Sequence, residues 1–91
     1  MIMYIVRIRP RAEKQLAKLL AHDRQKILAA IRGLGENPLQ GKKLHGEYEG
    51  RCSLRVWPYR VIYELDKKKL EVMVLEIGHR QGVYHEYRGM L

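Results

Sequence analysis

The sequence has little cysteine and no long apolar run. Its single cysteine, Cys52, excludes a disulfide framework and a thiolate metal site. The apolar start of the chain, residues 1–6, is interrupted by Arg7 and Arg9, which leaves it too short for a signal peptide or a membrane span. We therefore expect a cytoplasmic protein that does not contact a membrane.

Acidic residues are also scarce relative to basic ones. The chain has 18 Lys and Arg against 10 Asp and Glu, a net charge of +8 on 91 residues, and its length predicts one domain over residues 1–91. So large an excess on a small body attracts polyanions and opposes self-association. An aid to solubility is one reading of this charge, but we favour nucleic acid, the ribosome or an acidic protein as the partner.

The first half of the chain predicts one strand and two helices. Apolar alternation over residues 3–9 indicates a strand, and Pro10 then suits the first turn of a helix. We expect Asp23 to cap a second helix, which the glycines and the Asn-Pro pair between residues 33 and 38 end. The apolar helical stripes are Ala12, Leu16, Leu19 and Leu20 in the first helix and Ile27, Leu28, Ile31 and Leu34 in the second.

The second half predicts three strands after a polar loop at residues 39–50. The strands are expected at residues 51–57, 59–65 and 70–77. Pro58 and the charged run at residues 66–69 form the two turns, and Gly78 ends the last strand before a short tail. The order β-α-α-β-β-β predicts an α+β fold: an antiparallel, four-stranded sheet with a two-helix hairpin on one face.

Several arginines fall on the sheet face that the predicted helices do not cover. Alternation puts Arg51 and Arg55 on this face of one strand, while Arg60 lies in the adjoining strand and Arg80 follows the last strand. Guanidinium groups bind phosphate oxygens through two parallel hydrogen bonds. The face is a candidate phosphate-binding surface, and a solvated face with scattered arginines is the alternative.

Other basic and aromatic residues lie near this surface in the sequence. Lys42, Lys43 and His45 fit a loop that contacts an RNA backbone, although a plain solvated loop has the same composition. Trp57 and Tyr59 flank the predicted turn, where they either stack on a base or pack against the protein.

Two segments resemble the signature of the RelE/ParE toxin family. LRVWPYRVIY at residues 54–63 is similar to the family's central hairpin, and VLEIGHR at residues 74–80, followed by VY at 83–84, is similar to its ending. The helical hairpin and the Asn37-Pro38 break extend the resemblance over essentially the whole chain. The resemblance implies the fold described above, which is shared with small microbial ribonucleases.

The resemblance implies one of two activities. The RelE-like branch cleaves mRNA, usually in the ribosomal A site, whereas the ParE-like branch poisons DNA gyrase without cutting RNA. A plain basic nucleic-acid-binding module is a third possibility, which requires both motifs to be coincidental. The joint presence of late arginine and tyrosine residues beside a basic face favours the RelE-like branch. A RelB-like acidic antitoxin is the implied partner, laid as a helix in a groove or along an edge and forming a hetero-oligomer with the toxin.

Each functional position of the RelE-like branch is matched separately to one residue of this sequence. The residues that match them are Arg60 in the middle strand, Arg80 after the last strand and Tyr84 near the C-terminus. Two basic positions on the preceding strand fall at Arg51 and Ser53. Because Ser53 lacks the charge, we expect Arg55 on the same face to compensate, and the identity of the general base stays open.

RNA cleavage by these residues requires no metal or other cofactor. The ribose 2′-oxygen attacks its own 3′-phosphate, which needs a base, an acid and cations for the developing charge. Arg60 and Arg80 suit the cationic roles, and Tyr84 suits the base if surrounding guanidiniums lower its pKa. His79 and His85 are auxiliary proton-transfer candidates or surface residues, and their spacing differs from that of a helical metal-ligand pair.

Overall fold

The computed structural model describes residues 2–79, which form two helices packed on one face of a mixed sheet. The strands are β1 (Ile5–Ile8), β2 (Lys42–Lys43), β3 (Arg51–Val56), β4 (Tyr59–Asp66) and β5 (Glu71–His79). The helices are α1 (Pro10–Ala17) and α2 (Ala21–Glu36), and a single 3-10 turn covers Gly46–Tyr48.

The strand order in the sheet is β1-β5-β4-β3-β2, which places β4 at the centre. The predicted α+β class is confirmed, but the sheet is mixed rather than wholly antiparallel, because β1 pairs parallel to β5. The two antiparallel hairpins β3–β4 and β4–β5 make β3 and β5 run the same way, and β1 runs in that direction too. The described sheet also has a fifth strand, because residues within the predicted loop pair with β3 as β2.

Helix α1 is shorter than its apolar stripe predicted. Pro10 is its first residue, where the absent N–H costs nothing, and Ala12 and Leu16 are buried. The helix ends at Ala17, so the inclusion of Leu20 in the stripe was wrong: this side chain is 78% exposed and directly precedes α2.

The start of α2 differs from the prediction that Asp23 caps it. The residue before the helix is Leu20, whose backbone is extended, and no side chain caps the helix there. Asp23 lies inside the first turn, and its Oδ2 accepts a hydrogen bond from the Tyr59 hydroxyl at 3.0 Å. The carboxylate therefore joins α2 to β4 instead of satisfying the helix N–H groups.

Helix α2 continues through two glycines that were expected to help end it. It runs to Glu36, with Gly33 inside it and Gly35 buried near its end. The N–H of Tyr4 donates a hydrogen bond to the carbonyl of Gly35 at 2.8 Å, and a Cβ at position 35 would lie 3.1 Å from the carbonyl oxygen of Tyr4. Gly35 therefore allows the chain entering β1 to approach α2 closely.

The core lies between the two helices and the adjacent sheet face. Its helical side consists of Ala12, Leu16, Ile27, Ile31 and Leu34. Its sheet side consists of Cys52, Leu54, Val56, Val61, Tyr63, Val72, Val74 and Ile77. The predicted alternation of β3 is thus confirmed, and the arginines of this strand project from the opposite face.

The charged turn between β4 and β5 is confirmed. Asp66 Oδ1 accepts hydrogen bonds from the backbone N–H groups of Lys68 and Lys69, both at 3.0 Å. Strand β5 continues past the predicted end at Gly78 to His79, because Arg60 and Tyr59 of β4 pair with these two residues.

Candidate nucleic-acid interface

The register of β2, β3 and β4 collects basic residues on the sheet face opposite the helices. Arg51, Ser53 and Arg55 alternate with the core residues of β3, and Arg60 is directly opposite Arg55 in β4. Lys42 in β2 is opposite Ser53. We call these five residues, Lys42, Arg51, Ser53, Arg55 and Arg60, the arginine face.

Arg60 occupies the centre of this face. Its Nη1 donates a long hydrogen bond of 3.4 Å to Oγ of Ser53, a buried residue. On its other side, the register partner of Arg60 in β5 is Gly78, which has no side chain. The guanidinium is therefore positioned by a neutral acceptor, and the position beside it on β5 contributes no side-chain bulk.

Arg51 and Arg55 are held by different kinds of neighbour. Arg51 forms an ion pair with Glu64, with 3.2 Å between Nε and Oε1, and its guanidinium carbon lies 5.6 Å from the ring centre of Tyr48. Arg55 is exposed, and its guanidinium carbon lies 5.4 Å from the centre of the Trp57 ring. The Glu64 carboxylate offsets part of the Arg51 charge, so we expect the exposed Arg55 to contribute more than Arg51 to the field on this face.

The structure separates the two lysines predicted to bind phosphate. Lys42 pairs with Ser53 of the arginine face, whereas Lys43 pairs with Cys52, whose side chain belongs to the core side of β3. His45 is exposed and precedes the 3-10 turn. Of these basic residues, Lys42 has the register position that fits the arginine face.

Tyr63 positions β2, a role that sequence reasoning missed. Its hydroxyl donates to the carbonyl of Pro38 at 2.7 Å and accepts from the N–H of Gly41 at 3.0 Å. A Cβ at position 41 would lie 2.5 Å from the same hydroxyl oxygen, so glycine is required there. Burial raises the pKa of Tyr63 to about 12. The buried hydroxyl thereby holds the loop that leads directly into Lys42.

Glu76 is a second supporting residue that the sequence did not single out. It pairs with Ile62 in the register, is 8% exposed, and its Oε1 accepts from Nη2 of Arg11 at 2.9 Å. Gln15, also in α1, accepts the N–H of Ile77 through Oε1 at 2.8 Å. These contacts fasten α1 to the last part of β5. An acidic residue between two apolar ones, Leu75 and Ile77, was the available signal.

His79 lies on the helix-covered side of the sheet rather than with Arg60. It pairs with Tyr59, and the two rings make an edge-to-face contact with centres 5.9 Å apart. Tyr59 in turn bonds to Asp23 of α2, and this hydrogen bond raises the pKa of Tyr59. The predicted site residues Arg80, Tyr84 and His85 lie outside the described residues.

In residues 2–79 there is no group of three or more His, Cys, Asp or Glu residues arranged to hold a metal ion. Neither helix in that range is long and apolar enough to cross a membrane.

Known proteins resemble this chain in both sequence and fold. Toxin RelG of Mycobacterium tuberculosis is 34% identical over 87 residues, which cover 89% of this chain and 95% of that protein. The toxin–antitoxin complex RelBE2 from Mycobacterium tuberculosis contains a chain that is 32% identical, with a TM-score of 0.80 over 87% of this chain and 100% of that one. The isolated E. coli RelE toxin is 28% identical, with a TM-score of 0.71 over 91% of this chain and 93% of that one.

A family model also matches this chain to toxins of toxin–antitoxin systems. The model described as the ParE toxin of the type II toxin–antitoxin system, parDE, matches residues 6–84. This match includes the central hairpin and the late Gly-His-Arg and Val-Tyr segments of the sequence. With its fold and arginine face, the chain belongs to the RelE/ParE superfamily and is a toxin of a toxin–antitoxin system.

Proposed function

We propose that this toxin is a metal-independent endoribonuclease that cleaves mRNA in the ribosomal A site. The observation that carries the proposal is the position of Arg60. Its guanidinium lies at the centre of the sheet, bonded to Ser53 and directly opposite Arg55 in the register. Arginines at two paired positions on one face favour a polyanion with closely spaced phosphates, and mRNA has that charge pattern.

The proposed reaction is an attack by a ribose 2′-oxygen on the adjacent phosphorus. The P–O5′ bond breaks, and the products are a 2′,3′-cyclic phosphate and a 5′-hydroxyl. Arg60 stabilises the negative charge that accumulates on the non-bridging oxygens, because its charge persists at any physiological pH. We assign removal or positioning of the 2′-hydroxyl proton to Tyr84, and charge stabilisation or proton donation to the 5′-oxygen to Arg80.

The remaining basic residues bind neighbouring phosphates in this proposal. Arg55 and Lys42 support the RNA on either side of Arg60, and Arg51 contributes less because of its ion pair with Glu64. Lys43 makes a peripheral contact. Since His79 contacts Tyr59 on the helix-covered side, we retain only His85 as an auxiliary proton-transfer residue.

Primer extension on mRNA translated in the presence of purified toxin tests this proposal. We expect cuts at codon boundaries with the wild type, and their loss with Arg60→Ala. Arg32→Ala is the matched control, because it removes the same charge from an exposed position in α2. A wild-type toxin that arrests growth while leaving mRNA uncut would overturn the ribonuclease proposal.

A gyrase poison is the second candidate, and the match to a ParE family model favours it. In that case the toxin acts by contact and not by cleaving RNA. The same preparation is added to purified DNA gyrase and supercoiled plasmid. Accumulated DNA breaks without mRNA cuts would replace the first candidate by the second.

We also propose that an acidic, RelB-like antitoxin neutralises this toxin in the cytoplasm by covering the arginine face. The net charge of +8 supports an acidic partner. The RelBE2 chain that resembles this one forms a complex with its own antitoxin, which supports a hetero-oligomer here.

A further inference from the structure

The single tryptophan of the chain lies at the surface, next to the arginine face. Trp57 directly follows β3 and is 52% exposed, one of seven large apolar side chains that are exposed within residues 2–79. Trp57 begins the hairpin turn after β3, and the guanidinium carbon of Arg55, 5.4 Å from its ring centre, places the indole beside Arg55. Arg55 itself is directly opposite Arg60. The indole is therefore next to the proposed phosphate-binding site, towards the hairpin turn.

Two contacts fix Trp57 from different sides. The guanidinium carbon of Arg55 lies 5.4 Å from the indole centre, within the range of a cation–π interaction. Below the sheet, Nζ of Lys26 in α2 donates a hydrogen bond of 2.6 Å to the carbonyl oxygen of Trp57. Backbone and ring are thus both restrained, although the side chain contributes little to the core. A restrained aromatic surface loses less conformational entropy on binding than a mobile one.

The chemistry of this pair matches a nucleobase. Aromatic rings and guanidinium planes both stack on bases, and stacking tolerates any base because each has a π-face. A phosphate group alone would need only the cations of the arginine face. An exposed indole beside those cations instead suits a nucleobase. Single-stranded RNA is the polyanion that brings a base and a phosphate to adjacent positions.

We propose that Trp57, with Arg55 stacked on it, forms a platform for one nucleobase next to the phosphate held at Arg60. This inference rests on the proposed ribonuclease function and adds a binding subsite to it. The platform orients the RNA strand along β3 towards the hairpin turn. It raises affinity for base-bearing RNA without selecting a sequence.

Tryptophan fluorescence tests the platform, because Trp57 is the only indole. The probe is a short 2′-O-methyl oligoadenylate, which lacks the attacking 2′-hydroxyl and so is not cut. The comparison probe is an abasic oligomer with the same backbone and charge. We expect the base-bearing probe to quench the emission and to bind roughly 5- to 100-fold more tightly than the abasic one. Equal affinities with unchanged emission would overturn the platform.

Substitutions at Trp57 separate stacking from charge. With binding measured by fluorescence anisotropy of labelled probes, Trp57→Leu is expected to bind both probes equally, and Trp57→Tyr to keep most of the preference. Because Trp57 is half exposed, both variants are expected to unfold at nearly the wild-type temperature. If Trp57→Leu fails to fold, the ratio of the wild-type affinities for the two probes, together with the Trp57→Tyr variant, still tests the platform. A Trp57→Leu protein that kept the full preference would exclude the platform.

mRNA cleavage distinguishes this inference from the function on which it rests. If wild type cuts mRNA but shows no preference for the base-bearing probe, the ribonuclease stands and the platform is excluded. If wild type prefers the base-bearing probe through Trp57 but cuts no mRNA, the platform stands as an RNA-binding subsite and the ribonuclease falls.

Discussion

Nη1 of Arg60 donates a hydrogen bond of 3.4 Å to Oγ of Ser53, a residue that stands where the family resemblance implies a basic side chain. A neutral acceptor here orients one guanidinium instead of adding a second cation. Arg55 is the register partner of Arg60 and supplies charge from the next position on β3. Arg55 and Arg60 thus lie at paired positions on the arginine face, and each is held by a different neighbour.

Removing the central guanidinium is expected to abolish most of the proposed activity. Arg60→Ala is expected to slow RNA cleavage about 10²-fold or more, the usual cost of losing one transition-state charge stabiliser. Arg60→Lys keeps the charge but loses the two-pronged geometry, so an intermediate rate is expected. Single-turnover cleavage measures both rates. An Arg60→Ala rate within about twofold of wild type would contradict the assigned role.

The contact between α1 and β5 is expected to matter for stability. Glu76→Ala leaves Arg11 and Gln15 without their shared acceptor and is expected to lower the free energy of unfolding by ~1–3 kcal/mol. Glu76→Gln keeps an acceptor and is expected to cost less. Urea unfolding followed by circular dichroism measures these values.

Glu71→Ala is the matched control for Glu76, because Glu71 also lies in β5 and pairs with an arginine, Arg7, at 3.0 Å. The side chain of Glu71 is more exposed than that of Glu76, 22% against 10%, so a cost below about 1 kcal/mol is expected. Equal losses of unfolding free energy for Glu71→Ala and Glu76→Ala would show that the burial of Glu76 adds no stability.

Two glycines in α2 are expected to respond to alanine with opposite signs. A Cβ at Gly33 meets the movable end of Gln40 at 3.4 Å, so Gly33→Ala is expected to stabilise the helix by roughly 0.5–1 kcal/mol. At Gly35 the Cβ meets the backbone oxygen of Tyr4 at 3.1 Å, so Gly35→Ala is expected to destabilise. Thermal unfolding tests this, and a stabilised Gly35→Ala protein would contradict the close approach of β1.

The Tyr63 hydroxyl is expected to anchor the loop before β2. Tyr63→Phe removes its bonds to Pro38 and Gly41 and is expected to cost ~1–3 kcal/mol. Amide hydrogen exchange is expected to accelerate at Gly41 and Lys42 and to stay unchanged in the β4–β5 turn. Unchanged exchange at Gly41 would argue against this anchoring role.

Tyr63 also predicts an alkaline loss of stability. Its pKa rises from 10.0 to about 12 in the folded protein, so the folded state holds a proton that the unfolded state releases between these values. The contribution is complete below pH 10, falls as pH rises towards 12, and amounts to at most roughly 3 kcal/mol. Urea unfolding between pH 9 and 11 is expected to show a steeper decline for wild type than for Tyr63→Phe, and parallel curves would contradict it.

Binding of the proposed acidic antitoxin is expected to weaken with salt. Because Arg55 and Lys42 are exposed cations, added salt screens their attraction to acidic groups and lowers the association rate. Calorimetry with the cognate antitoxin over a range of salt concentrations measures the slope. A salt-insensitive affinity would mean that apolar contacts dominate the interface.

Periodicity in the sequence was enough to predict both helices, every strand except β2, and the two faces of β3. Alternation places Arg55 and Val56 on opposite faces of any strand, regardless of the tertiary structure, because successive side chains of a strand point to opposite faces. The turn residues Pro58 and Asp66 likewise act locally. The arginine face was therefore largely readable from residue order, as was the α+β class.

Tertiary structure alone decided which distant groups meet. Three contacts join residues that are far apart in the chain: the parallel pairing of β1 with β5, the bond from Tyr59 to Asp23, and the burial of Glu76 against Arg11. Local patterns carry no record of such contacts, because they depend on how α1 and α2 pack across the sheet. The sequence by itself determined the helices, every strand except β2 and the charge, and packing determined which of those charges are held in place.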